Sequence, residues 1–329
     1  MPAARAPADL IDQILALDPG RRGIVALARP GAAAAAARAL LRARRALIVT
    51  GFTVARETQE TDGPPGAAVL GRALRALGAD VRYVTDQVNV PLLEAVLDTL
   101  GEPAAVSVYP DGDGAARAVL AATRPTHLVA IERPGRSRGG DYLNMRGESI
   151  AAWNAPIDDL FLCSGVRGAG LGRGWPERGA RRSFCSGVRG AGANRRWPEK
   201  GARWLRPCTI GIGDGGNEIG MGVVRARFAR LGRLEARIAS VVRVDHLVVA
   251  GVSNWGGYGV VAALSRLAGR ELLHTPDAER RMIEACVAAG ASDGVTRRRG
   301  PTVDGLPLEI HAAVVELLRW AARSGIIRA

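Results

Sequence analysis

The stretch GIGDGGNEIGMG at residues 211–222 places two acids and one amide among six glycines. Glycine is the residue whose backbone costs most to order, so a turn built this way must gain something from the close approach glycine allows. Asp214, Asn217 and Glu218 at this spacing suit two chemistries. One is ligation of a hard divalent cation such as Mg²⁺ or Mn²⁺, with Asp214 and Glu218 as the ligands; the other is general acid–base work on an amine or a carboxyl. The turn is neither a Walker A loop nor a strict G-x-G-x-x-G, and its two acids would repel a phosphate. No nucleotide cofactor is therefore expected. The plain structural alternative is a helix N-cap made by Asp214 or Asn217.

Three other segments carry chemistry of the same kind. In TDGPPGA, Asp62 precedes a glycine and two prolines that suit a helix start, which fixes Thr61 and Asp62 as ligand contacts or as a cap. In AIERPGR, Glu132 offers a base or a metal ligand, and Arg133 a clamp for a carboxylate. In GVSNWGGYG, Ser253 and Asn254 could orient a small polar substrate against Trp255, unless the indole is simply core. The histidines at 127, 246, 274 and 311 show no metal spacing and read as structural.

These segments need elements to hold them. Six apolar, β-rich runs alternate with helical patterns: 46–52, 80–86, 104–110, 126–132, 208–214 and 245–252. Helices are expected over 64–77, 91–100, 114–122, 144–162 and 216–232, and again beyond 255. Repeated strand–helix units predict an α/β fold: a single Rossmann-like domain with a mainly parallel, doubly wound sheet. In such sheets ligands gather beyond the carboxyl ends of the strands. The polar segments named above, with Asp86, all fall at those ends, so five loops are expected to converge on one rim.

Composition agrees with this picture. The chain has 329 residues, 47% of them apolar but only 4% aromatic, so the core must be built from Ala, Val, Leu and Ile. The longest Ala-rich stretch, 32–41, is interrupted by Arg38 and reads as a surface-packed helix rather than a membrane span. With no signal-like or acid-poor leader, a cytoplasmic location is expected. Four cysteines without a C-x-x-C pair suggest reduced thiols. The net charge of +13 is concentrated: eleven Lys or Arg and two Glu between 161 and 206 supply nine of the thirteen charges. That region repeats CSGVRGAGLGRGWPERGAR, beginning at Cys163, as CSGVRGAGANRRWPEKGAR, beginning at Cys185. Its composition offers no face to bury, so 164–206 reads as a tandem-repeat insertion that is disordered or loosely packed. A nucleic-acid arm using Trp175, Trp197 and Trp204 is the weaker alternative, and nucleic acid is not an expected partner.

Together, ETDGPPGA, AIERPGR, DYLNMR, PIDDLF, TIGIGDGGNEIGMG, DHLVVAGVSNWGGYG, DGVT and TVDGLP resemble the D-glutamate cyclase family. The likeness is to the domain shared by stand-alone bacterial proteins and the C-terminal part of the larger mammalian enzymes, and it runs from about residue 15 to 320. The resemblance implies a hydro-lyase that converts D-glutamate to 5-oxo-D-proline. It also implies roles: Asp214 or Glu218 as base or metal ligand, and Arg133 or Arg146 on the α-carboxylate. Asn217 and Asn254 would hold the oxyanion, and Asn144 would join the substrate contacts. A non-catalytic amino-acid sensor using the same rim is the competing reading.

Overall fold

The computed structural model describes residues 9–164 and 206–324. Its centre is an all-parallel sheet of β1 (Arg45–Thr50), β4 (Asp80–Thr85), β5 (Val106–Val108), β6 (His127–Ile131), β7 (Cys208–Gly213) and β8 (His246–Val249), in the order β5-β4-β1-β6-β7-β8. Two short hairpins, β2 (Thr53–Ala55) with β3 (Thr58–Gln59) and β9 (Thr302–Val303) with β10 (Leu306–Pro307), lie outside the sheet. The helices are α1 (Leu10–Leu15), α2 (Ala32–Leu40), α3 (Pro64–Ala76), α4 (Val90–Thr99), α5 (Ala115–Thr123), α6 (Asp159–Cys163), α7 (Arg225–Phe228), α8 (Arg233–Ile238), α9 (Ser253–Ala268), α10 (Pro276–Ala288) and α11 (Leu308–Ser324).

The strands read as unbroken apolar runs because the sheet is covered on both faces. Alternate residues divide between two cores: Ile48, Val129, Ile131, Ile210, Ile212 and Val248 pack on the face covered by α1 to α4 and α9 to α11. Leu47, Val49, Leu128, Ala130, Leu247 and Val249 pack on the other face, under α5, α6 and the segment around Ile219 to Val244. The six strands and the Rossmann-like sheet match the sequence reading, and the strand order reverses between β1 and β6, the switch point at which such sheets place ligands. No described helix is long and apolar enough to cross a membrane.

Two helical expectations need correction. The span 144–162 is not one helix: Asn144 and Gly147 make a turn, Pro156 interrupts, and only Asp159–Cys163 is helical. The span 216–232 is not one either. Gly216 and Gly220 adopt positive φ there, and the backbone forms a 3₁₀ turn, Met221–Val223, and the single-turn α7. The Ala-rich helix α2 packs on the sheet's surface as read, with Ala33, Ala36 and Ala37 buried against the core and Arg38 exposed.

Residues 165–205, which hold nearly all of the repeat, lie outside the described residues. The chain is described again from Arg206, which pairs with Asp245 on the amino side of the sheet. There β7 begins, with Cys208 opposite His127 at the start of β6.

Candidate active site

The rim is organised by two helix N-termini brought side by side. α3 and α9 meet through glycines: a Cβ on Gly257 would come within 3.0 Å of the Gly66 carbonyl oxygen, so only small residues permit this approach. The two termini then cap each other. Asn254, the second residue of α9, accepts from the backbone N–H of Gly63 (3.0 Å) and Gly66 (2.8 Å) at the start of α3. Asp62, just before α3, accepts from the N–H of Ser253 (2.9 Å) and Asn254 (2.8 Å) at the start of α9. Free N–H groups at a helix start are satisfied in this way by side chains of the neighbouring helix.

The glycine-rich turn after β7 supplies two more acids. Glu218 folds back so that its Oε1 accepts from the N–H of Asp214 (3.0 Å) and of Gly215. A Cβ on Gly215 would stand 2.9 Å from that oxygen, which is why glycine is required there. The second oxygen, Glu218 Oε2, is buried and has no hydrogen-bond partner. At the end of β6, Glu132 sits in the left-handed region at φ 41° and receives the Ser253 hydroxyl hydrogen bond. A non-glycine residue held there stores strain of about 1–2 kcal/mol.

Three residues complete the cluster that the sequence did not single out. Glu60 and Asp304 add carboxyls, and Arg22 Nη2 donates to Asp214 Oδ2 (2.9 Å), Asp304 Oδ2 (3.0 Å) and the Gly251 carbonyl (2.6 Å). Glu60 and Asp304 stand inside the quoted motifs ETDGPPGA and TVDGLP, beside the acids that were weighed. Arg22, in an N-terminal segment without a motif, had no local signal. Its only clue was the imbalance of charge, since so many converging acids require a cation.

Burial dominates the electrostatics. It pushes Glu132 well above the ordinary carboxylate range, and Asp214, Glu218, Glu60 and Asp62 add to the shift. Glu60 and Asp62 are raised in the same way, although backbone N–H donors pull Asp62 back. Burial lifts Asp304 to about 7, with Arg22 opposing and Asp214 reinforcing. Asp214 is also raised by burial but is held back by Arg22 and by a hydrogen bond from Asp304. Two carboxyl pairs result, Asp304 with Asp214 and Glu132 with Glu60, each joined by a hydrogen bond that one proton can make.

One oxygen each from Glu132, Asp214 and Glu218 lie within 4.8 Å of one another, and the same holds for Asp62, Asp214 and Asp304. Arg22 already occupies the second group. The first group retains the partnerless Glu218 Oε2, and it is the better fit to a hard divalent cation.

The other expected contacts are committed elsewhere. Arg133 is fully buried in a fork with both Asp86 oxygens and also donates to Gly51 and Ala155 carbonyls, so it offers no clamp to a ligand. Asn254 spends its amide on Gly63, Gly66 and the Thr61 carbonyl (3.3 Å), not on an oxyanion. Asn217 Nδ2 ties the turn to the Leu143 carbonyl (2.7 Å). Asn144 closes its own turn through Arg146 N–H and Glu148 N–H and bonds the Val54 carbonyl. Arg146 is exposed on that turn, one residue from Met145, whose sulfur sits 3.2 Å from where a Cβ on Gly215 would lie. Thr61 is buried and holds the Thr302 carbonyl (2.8 Å), and Trp255 is core, its indole N–H donating to His311 Nδ1 (3.0 Å). The cluster that does converge is Asp62, Glu132, Asp214 and Glu218, with Ser253 at its edge.

Residues 11–179 and 200–319 match the family described as D-glutamate cyclase-like, C-terminal, with the break falling inside the tandem repeat. The chain belongs to the D-glutamate cyclase-like family. It is 31% identical over 348 aligned residues to the human protein named D-glutamate cyclase, mitochondrial, an alignment that takes in 94% of this chain and 50% of that protein. The chain thus spans about half the length of the curated relative it matches.

Proposed function

We propose that this member of the D-glutamate cyclase-like family cyclises D-glutamate to 5-oxoproline with loss of water, in the carboxylate pocket beyond β6 and β7. The observation that carries the reading is the acidity of that pocket: six converging carboxyls, Glu60, Asp62, Glu132, Asp214, Glu218 and Asp304, against, among the described residues, the one ion-paired guanidinium of Arg22. Such a pocket suits a ligand that brings positive charge, and the ammonium of an amino acid does so.

Cyclisation requires the nitrogen to lose two protons, one before it bonds the γ-carboxyl carbon and one after, and one γ-oxygen to gain two and leave as water. The two carboxyl pairs divide this labour. Asp214, kept toward its ionised form by Arg22 and Asp304, accepts the proton from the ammonium. Glu132, which burial and its acidic neighbours keep protonated, delivers a proton to the departing oxygen. Glu218 is fixed through Oε1 by two N–H groups and presents Oε2 to the ligand. In place of that proton donor, a divalent cation held by ionised Glu132, Asp214 and Glu218 would supply charge neutralisation and polarisation of the γ-carboxyl.

Incubation of the purified protein with D- and L-glutamate, with and without Mn²⁺, followed by NMR for 5-oxoproline, tests the activity. Glu218→Gln is nearly isosteric and should lower product formation by about 100-fold or more, with an unchanged circular dichroism spectrum. Wild-type-like turnover in that variant would remove Glu218 from the reaction.

A further inference from the structure

Resting on that reading, we infer that Arg22 is the residue that recognises the substrate's unreacting carboxylate, and thereby fixes which end of an amino acid enters the pocket first. Among the described residues Arg22 is the only cation ion-paired to the acidic cluster. The arginine that follows Glu132 in sequence is spent on Asp86, so it leaves no carboxylate receptor at that position.

The geometry of Arg22 is asymmetric. All three of its side-chain hydrogen bonds, to Asp214, Asp304 and the Gly251 carbonyl, come from Nη2. Among the described residues its Nε and Nη1 make none, so both keep N–H groups that can each donate singly to an incoming carboxylate. The side chain is 21% exposed, whereas those of Asp214 and Asp304 are only 5% and 8% exposed, so Arg22 is the member of the group that reaches solvent and the acids are buried behind it. Its backbone is held by Asp18, which accepts from the N–H of Arg22 (2.9 Å), Gly23 (2.8 Å) and Ile24 (3.2 Å). The guanidinium is therefore placed in advance of any ligand, and little ordering is left for binding to supply.

This polarity selects an orientation. A ligand with an ammonium and a carboxylate on one carbon is drawn in amine first, with its carboxylate retained by Arg22. In glutamate the α-carboxylate is the group that cyclisation leaves unchanged. Held at the mouth, it leaves the amine and the γ-carboxyl on the acidic side.

The test compares D-glutamate with its α-amide, D-isoglutamine, which keeps the amine and the γ-carboxyl but lacks the charge Arg22 would read. Wild-type protein should favour D-glutamate by about 30- to 100-fold in kcat/KM and, measured by calorimetry, in Kd. In Arg22→Gln that preference should collapse to within about threefold, through weaker binding of D-glutamate and little change for the amide. Arg22→Lys should restore part of the preference, because it keeps the charge but not the guanidinium's separately directed N–H donors. If both ligands weaken by the same factor, or if wild-type protein does not discriminate, Arg22 is only a staple between loops and the inference is overturned. The calorimetric arm is independent of turnover: discrimination without any 5-oxoproline would sink the proposed reaction while sustaining the role of Arg22, and binding of neither ligand would sink that role too.

Discussion

Asp304 shows how a single side chain can set the pH behaviour of the whole site. Its carboxyl stands at about 7 against an ordinary 3.8, chiefly because it is buried, and it hydrogen-bonds Asp214 beside Arg22. A raised acid favours the native state in its protonated form, so its stabilising effect is complete below about pH 4 and is lost as pH rises through about 7. Urea unfolding of the protein without added metal should therefore show stability falling between about pH 5 and 7.5, and Asp304→Asn should flatten that fall. An unchanged slope in the variant would mean that the proton resides elsewhere. At this scale the sequence was partly legible. Glu132 and Asp214 were visible because each ends an apolar run, where a carboxyl has no core to join, and Asp62 and Glu218 because each stands in a glycine-bearing turn of the loops that follow. Arg133 was misjudged because its partner, Asp86, is 47 residues away and the pairing depends on β4 lying beside β1. Arg22 was missed for the same reason: its acceptors stand 192 and 282 residues along the chain.

The elements reach the site through the α3–α9 pair. Small residues let the two helices touch, the touching aligns their N-termini, and the aligned termini demand side-chain acceptors, which Asn254 and Asp62 supply. Asn254 thus belongs to the scaffold that aims Asp62. Asn254→Ala removes two caps from α3 and leaves their N–H groups buried, which should cost about 1–3 kcal/mol in urea unfolding at neutral pH. A loss below about 0.5 kcal/mol would show that the start of α3 is held by other contacts. The strands of the sheet were legible because burial on both faces leaves a continuous apolar signal. The helices expected at 144–162 and 216–232 were not formed because Asn144, Gly147, Gly216 and Gly220 supply turns whose hydrogen bonds replace the helical ladder. The two-residue strands of the hairpins are too short to carry any periodicity.

Across the whole molecule the point where the described chain resumes after the tandem repeat and the carboxylate pocket lie at opposite ends of one strand. β7 begins at Cys208, two residues after the description resumes, and reaches the acidic turn only after Gly213. Six residues of extended chain span roughly 20 Å, and the sheet stands between. A long insertion at that place lengthens a connection on the amino side, a cost that grows only with the logarithm of its length. The cluster at the carboxyl side keeps its internal bonds regardless, since Glu218 is fixed by Asp214 and Gly215 within its own turn. Replacing residues 165–205 with a short Gly-Ser linker should therefore leave D-glutamate binding, measured by calorimetry, within about twofold of the intact chain. The same variant should keep the Arg22-dependent preference over the α-amide, because Asp18, Arg22, Gly251 and Asp304 all lie outside the replaced stretch. A tenfold loss of binding with unchanged unfolding would mean that the repeat reaches across the sheet and contributes to the mouth of the pocket directly.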